Sequence, residues 1–333
     1  MSTLKKRQFA APFICALIGY KSTLKAALAD CLHSYFLNTK LFSRNQFLLR
    51  FYSLTNRLSG KPPINDIQSN ADNDAYLAAI SFCLREPIGR TKGILQDNSV
   101  FQSRIDSLRN SQHSSHVLTK HRDSMQILQR NNFLQLQNDL QHSRIISAFH
   151  FGDFVYGLNA LMCLENPQNK RVLVSQDLAS ETYFDNIRTC FGDRAVLGSN
   201  HLIAANTDVL QLRKLLRSKL TTLTMFCDLP QRFGESTQVS FLARKAYFPK
   251  GPATLALATK APLLPVITYR KKQKNFVKVF PLIVPEKLEG ETLEQAVTRI
   301  TQSLVNILEA YLEKYPQQWK YLRLLPDYFH NPT

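Results

Sequence analysis

Six cysteines without a single Cys-x-x-Cys pair leave this sequence no zinc ribbon and no disulfide framework, because both need partners at closer spacing. Cys15, Cys31, Cys83, Cys163, Cys190 and Cys227 are scattered, several inside apolar runs, as expected of reduced, buried thiols in a cytoplasmic protein. A long apolar run is missing too. Residues 9–20 follow the basic triplet Lys5-Lys6-Arg7 and precede Ala27-Leu28-Ala29, which imitates a cleaved leader, but Pro12 interrupts the run and Lys21 and Lys25 stand before the supposed cleavage site. That run falls well short of the ~20 residues a membrane span needs. We read it as an uncleaved amphipathic or core segment able to touch a membrane surface. Acidic residues are scarce: 25 Asp and Glu against 42 Lys and Arg leave a net charge of +17. Such a charge implies an anionic partner, whether nucleic acid, an anionic membrane surface or an acidic carrier protein. No helix-turn-helix, zinc or RNA-binding aromatic signature accompanies it, and the basic residues are spread along the chain, so nucleic acid is not the expected partner.

What the sequence does have is enough apolar content, 44% of 333 residues, to bury a large core and exclude wholesale disorder. Residues 1–140 read as a helical N-terminal region packed on a core. Apolar positions recur at helical spacing over 24–37, 47–58 and 72–84, with a break at Gly60-Lys-Pro-Pro-Ile-Asn-Asp66 and a stop before Pro87. Residues 95–140 are rich in Gln, Asn, Ser and His and suggest no chemistry. Within them His121-Arg122-Asp123 imitates a kinase triplet but lacks the glycine-rich loop and strand lysine that should precede it. His113, His116 and His121 lack the acidic or cysteine ligands that would turn them into a metal site, so none is expected.

From residue 141 onward the pattern becomes α/β. Strands are expected at 144–149, 171–175, 221–227, 239–242, 264–269 and 276–282, and helices at 154–163, 181–190, 207–217, 252–259 and 293–315. Alternation of this kind predicts a mostly parallel sheet flanked by helices, with the functional site at the strand ends. His150, Asp228 and the loop before Pro252 all fall at or near such ends. The first strand delivers His150 to a glycine turn and a helix opened by Asp153, a spacing that suits a base and its orienting carboxylate. The same residues also suit a helix-capping aspartate and a hydrogen-bonded turn histidine.

His150-Phe-Gly-Asp-Phe-Val155 resembles the His-Phe-Gly-Asn-Trp-Glu signature of the late acyltransferases of lipid A biosynthesis, within the wider glycerolipid acyltransferase superfamily. The similarity continues in order through Asp185-Asn-Ile-Arg188 with Arg194 beyond it, Leu223-Thr-Met-Phe-Cys-Asp228, Phe241-Leu-Ala243, Phe248-Pro-Lys-Gly251, Ala261-Pro-Leu-Leu-Pro265 and Pro316-Gln-Gln-Trp319. In that family the histidine is the base and the glutamate five positions on supports it. Here Val155 stands in the glutamate's place, and Asp153 is the expected substitute.

The resemblance implies transfer of an acyl group from a carrier-protein or CoA thioester to a hydroxyl or amine, with no cofactor. Chemically, His150 suits a general base near neutral pH, and the turn at Lys250-Gly251 suits an oxyanion donor because helix N-termini leave N–H groups free. Arg188, Arg194, Arg232 and Lys250 are expected to hold a phosphate, with Asp228 also assigned to substrate binding. The expected partner is an acidic acyl or peptidyl carrier protein, and the expected location is cytoplasmic, peripheral on the inner face of the membrane. Two other readings stay open. One is an altered relative that acts on or binds carrier-tethered intermediates in specialised metabolism, and the other is a basic nucleic-acid-binding protein.

Overall fold

The computed structural model describes residues 70–138, 143–164, 170–174, 181–192, 202–204, 207–217 and 221–330. The helical stretches expected at 24–37 and 47–58 and the basic and apolar segment at 5–20 lie outside the described residues. Among the described residues no helix is long and apolar enough to cross a membrane.

The described chain opens with helices α1 (Asn70–Leu84), α2 (Ile88–Asn110) and α3 (Ser115–Asp123), followed by strand β1 (Met125–Leu128) and α4 (Arg130–Asn138). Next come β2 (Arg144–Ala148), α5 (Phe154–Met162), β3 (Lys170–Val174), α6 (Glu181–Phe191), β4 (Leu202–Ala204), α7 (Val209–Arg217) and β5 (Thr222–Phe226). A hairpin of β6 (Ser236–Phe241) and β7 (Arg244–Pro249), α8 (Gly251–Thr259), β8 (Leu263–Lys271), β9 (Lys274–Val279) and α9 (Leu293–Leu312) complete the series. A seven-stranded sheet runs in the order β1-β9-β8-β2-β5-β3-β4, parallel throughout except for the β8–β9 pair. The mostly parallel sheet flanked by helices agrees with the pattern of the sequence. β1, β4 and β7 were not anticipated. β1 and β4 are only four and three residues long, too short to show a period. The sheet takes its outer strand β1 from the segment before residue 141.

Both faces of the sheet are covered, as parallel strands require. Along β2 the neighbours Ile145 and Ile146 point into different apolar clusters, and Leu263 and Leu264 of β8 divide in the same way. One cluster holds α8, α9 and the β6–β7 hairpin, and the other holds α5 and the apolar side of α6. α9 begins with a reciprocal capping box between Thr292 and Gln295, which fixes where that helix starts.

After α9 the chain returns across the strand ends. Gln318 is buried and stitches this return in place: its side chain accepts from Arg270 N at 2.7 Å and donates to Arg270 O at 2.7 Å, while its carbonyl accepts from Gly152 N at 3.0 Å. From the other side Asn98 of α2 donates to the carbonyls of Gln317 and Trp319 at 3.0 and 2.8 Å. The N-terminal helices therefore brace the C-terminal return.

A buried charge network binds α2, α3 and α5 together. Asp153 is the N-cap of α5, and its carboxylate accepts from Arg109 Nη2 of α2 at 3.2 Å and from His121 Nε2 of α3 at 2.6 Å. Asn186 of α6 closes the C-terminal end of α2 by donating to the carbonyls of Leu108, Arg109 and Ser111. Burial alone would raise the Asp153 carboxyl, but the hydrogen bond from His121 and the charge of Arg109 outweigh it and hold the group below its ordinary value. A depressed carboxylate stabilises the fold above its unfolded pKa and loses that contribution as pH falls through the folded one. Asp153→Asn keeps a capping side chain but strands Arg109, so unfolding free energy at pH 7 should fall by about 3–5 kcal/mol, beyond the ~1 kcal/mol of a lost cap. In urea titrations the gap to wild type should persist down to about pH 4 and close only below it. Equal stability at pH 7 would show that the network contributes nothing.

Candidate functional site

β2 and β5 are adjacent parallel strands in the register Ala148↔Phe226. His150 lies two residues beyond the first of this pair and Asp228 two beyond the second, so the same register brings the two side by side at the carboxyl edge of the sheet. The imidazole Nδ1 is 2.8 Å from Asp228 Oδ1, and the His150 backbone N–H donates to Asp228 Oδ2 at 2.7 Å. Gly152 makes the following turn feasible: its φ is +58°, and a Cβ there would lie 2.4 Å from the carbonyl oxygen of Thr268 on β8.

Asp228 is fully buried and receives a third hydrogen bond on its carboxylate, from Trp319 Nε1 at 2.9 Å, while Tyr328 Oη donates to its backbone carbonyl at 2.7 Å. Because a carboxylate accepts, Nδ1 is the nitrogen that carries the hydrogen and Nε2 keeps the lone pair. Among the described residues nothing hydrogen-bonds to Nε2. Phe226 stacks on the imidazole with centroids 3.9 Å apart, and Phe154 and Tyr321 meet it edge-on at 4.8 and 4.9 Å. Burial lowers the His150 pKa from its ordinary value, and the Lys320 and Arg109 charges act in the same direction; the Asp228 charge and hydrogen bond oppose them without reversing the result. An imidazole held in this way is neutral at neutral pH and can take a proton at Nε2.

The structure corrects the expected orienting group. Asp153 is committed to Arg109 and His121, and the carboxylate on His150 comes from Asp228. Position 155, five residues beyond the histidine, holds a buried valine in the apolar cluster around α5. Of the residues expected to hold a phosphate, Arg188 forms an exposed ion pair with Asp185 at 2.6 Å and Lys250 pairs with Glu235 at 2.7 Å on the surface. Gly251 opens α8, where a Cβ would meet only Met225 Cε at 3.8 Å. Arg194 and the side chain of Arg232 lie outside the described residues. Among the described residues no cluster of three or more potential metal ligands occurs. Sequence reasoning missed Phe226, Tyr321, Lys320 and Tyr328 as neighbours of the pair. The signal for Lys320 lay in the Pro316-Gln-Gln-Trp319 segment, whose tryptophan touches Asp228 directly.

Comparison with known proteins points the same way as these residues. Residues 185–325 match the family described as bacterial lipid A biosynthesis acyltransferase. The matched stretch starts after His150 and includes Asp228 and Trp319. A phosphatidylinositol mannoside acyltransferase from Mycolicibacterium smegmatis is 30% identical over 112 residues, 33% of this chain and 34% of that protein. The similarity thus spans about a third of that relative's length. The crystal structure of a 1-acyl-sn-glycerophosphate acyltransferase, PlsC, from Thermotoga maritima superposes with a TM-score of 0.34 and 14% identity, over 81% of this chain and 97% of that one, too loosely to bear on the site. Over residues 185–325, then, the chain is similar to the bacterial lipid A biosynthesis acyltransferases, and a shorter stretch of it is similar to this mannoside acyltransferase.

Proposed function

We propose that this protein transfers an acyl group from a thioester, carried by an acyl carrier protein or CoA, to a hydroxyl or amine acceptor, with His150 as general base and Asp228 as the group that orients it. The observation that carries this reading is the His150–Asp228 pair at the ends of adjacent strands, which leaves Nε2 free to accept a proton. As the acceptor oxygen or nitrogen bonds to the acyl carbon, its proton passes to Nε2. The C–S bond then breaks, and the imidazolium returns the proton to the leaving thiolate. Asp228 stabilises the transient imidazolium and keeps Nδ1 the protonated nitrogen of the resting ring. In this reading Asp228 also supplies the carboxylate that the family resemblance expects five residues after the histidine, which favours a working enzyme over a binding module. The +17 charge supports an acidic carrier protein as donor and an anionic inner membrane face as the place of work.

His150→Ala should lower acyl transfer by about 10²–10⁴-fold with the fold intact, measured by thiol release and mass spectrometry of the product. Asp228→Asn should lower kcat by a comparable factor, because the amide can present the wrong tautomer to the ring. Turnover near wild type in His150→Ala would end the proposal. The depressed His150 pKa adds an independent check. A base that must be neutral loses activity only as pH falls through its own pKa, so the acid limb of kcat/KM should lie below the ordinary histidine value of about 6.5. An acid limb at or above that value would contradict the assignment.

A further inference from the structure

We propose that Lys320 supplies the charge that stabilises the oxyanion formed on the acyl carbonyl beside His150; this rests on the acyl-transfer reading above. The backbone places it there. The Lys320 N–H donates to the His150 carbonyl at 2.9 Å, and Phe151 and Trp319 form an antiparallel bridge, so the return segment runs as a short strap along the catalytic turn. The Lys320 ammonium lies 6.0 Å from the centre of the Phe154 ring and 5.9 Å from that of Tyr321, the two rings that meet the imidazole edge-on. The cation and the base therefore border the same aromatic wall.

Its charge is also uncommitted. Among the described residues Lys320 makes no ion pair and no side-chain hydrogen bond, whereas Arg109, 4.4 Å over the same Phe154 ring, is tied to Asp153. Although Lys320 as a residue is exposed, its ammonium is crowded enough that burial, followed by repulsion from Arg109, lowers its pKa against the pull of Asp106 and Asp228. An anion arriving between base and lysine would relieve that repulsion. During transfer the carbonyl π pair moves onto oxygen as the acceptor attacks, and an ammonium N–H donates to that oxygen. When the C–S bond breaks, the pair returns to the carbonyl and the ammonium keeps its proton. The gain appears only in the transition state, so the effect belongs in kcat.

The test compares Lys320→Met, Lys320→Arg and His150→Ala in the full chain. Lys320→Met should lower kcat by about 10²–10³-fold with KM little changed and the melting temperature preserved. Lys320→Arg should recover part of the rate, and added primary alkylamines should partly rescue Lys320→Met. Removing the charge should also move the acid limb of the pH profile upward, because Lys320 depresses His150; a purely structural role would leave that limb in place. Wild-type kcat in Lys320→Met beside an inactive His150→Ala would overturn the Lys320 assignment alone. So would a raised KM with unchanged kcat, which would mark a ground-state substrate contact. An active His150→Ala would instead remove the acyl-transfer reading itself.

Discussion

The arrangement of the site depends on one buried carboxylate. Placing an anion where no water reaches it costs several kcal/mol after relaxation, and the cost is met only when every lone pair finds a donor. Asp228 has three donors on its side chain, each from a different source: the His150 ring, the His150 backbone and the Trp319 indole. These contacts fix β2 against β5 and lock the C-terminal return onto both. Asn98 and Gln318 then secure the return to α2 and β8, so distant parts of the chain are held to one charge.

A second buried carboxylate stands close by and behaves differently. Asp153 also meets a histidine, but a guanidinium completes its shell, and the result is a neutralised junction between α2, α3 and α5. Among the described residues, the His150–Asp228 pair has no such cation in direct contact. Its imidazole keeps one nitrogen unengaged between aromatic rings, where a proton can be gained and lost. Two histidine–aspartate pairs thus differ in whether an arginine shares the carboxylate, and with it in how much of the histidine's proton-binding capacity is left over.

Much of this was legible in the sequence where the signal was local. The strand into His150, the helix after it, the alternation beyond residue 141 and the strand ending at Asp228 all show as apolar runs. The partner of His150 did not, because sequence spacing makes Asp153 look near while Asp228 is 78 residues away. Only strand adjacency reveals that both residues sit two places past paired positions, and periodicity carries no record of which strands pair. Arg109 and His121 were illegible for another reason. They come from polar helices with sparse apolar faces, and their role appears only once Asp153 is seen to need buried partners. His121, one of three histidines at which no metal site was expected, is only 8% exposed.

Val155 can now be understood as a consequence of the strand pairing. A carboxylate at that position would stand in the first turns of α5, inside a cluster that includes Ile146, Leu158 and Leu161. It would need donors there, and Arg109, the guanidinium at this helix start, already pairs with Asp153. Asp228 meets the same chemical need from a strand end, where its donors come from rigid backbone and from an indole that is itself fully buried. With the orienting charge supplied from β5, a small apolar side chain is the residue that packs best five positions after the histidine, and valine fills that place at 3% exposure.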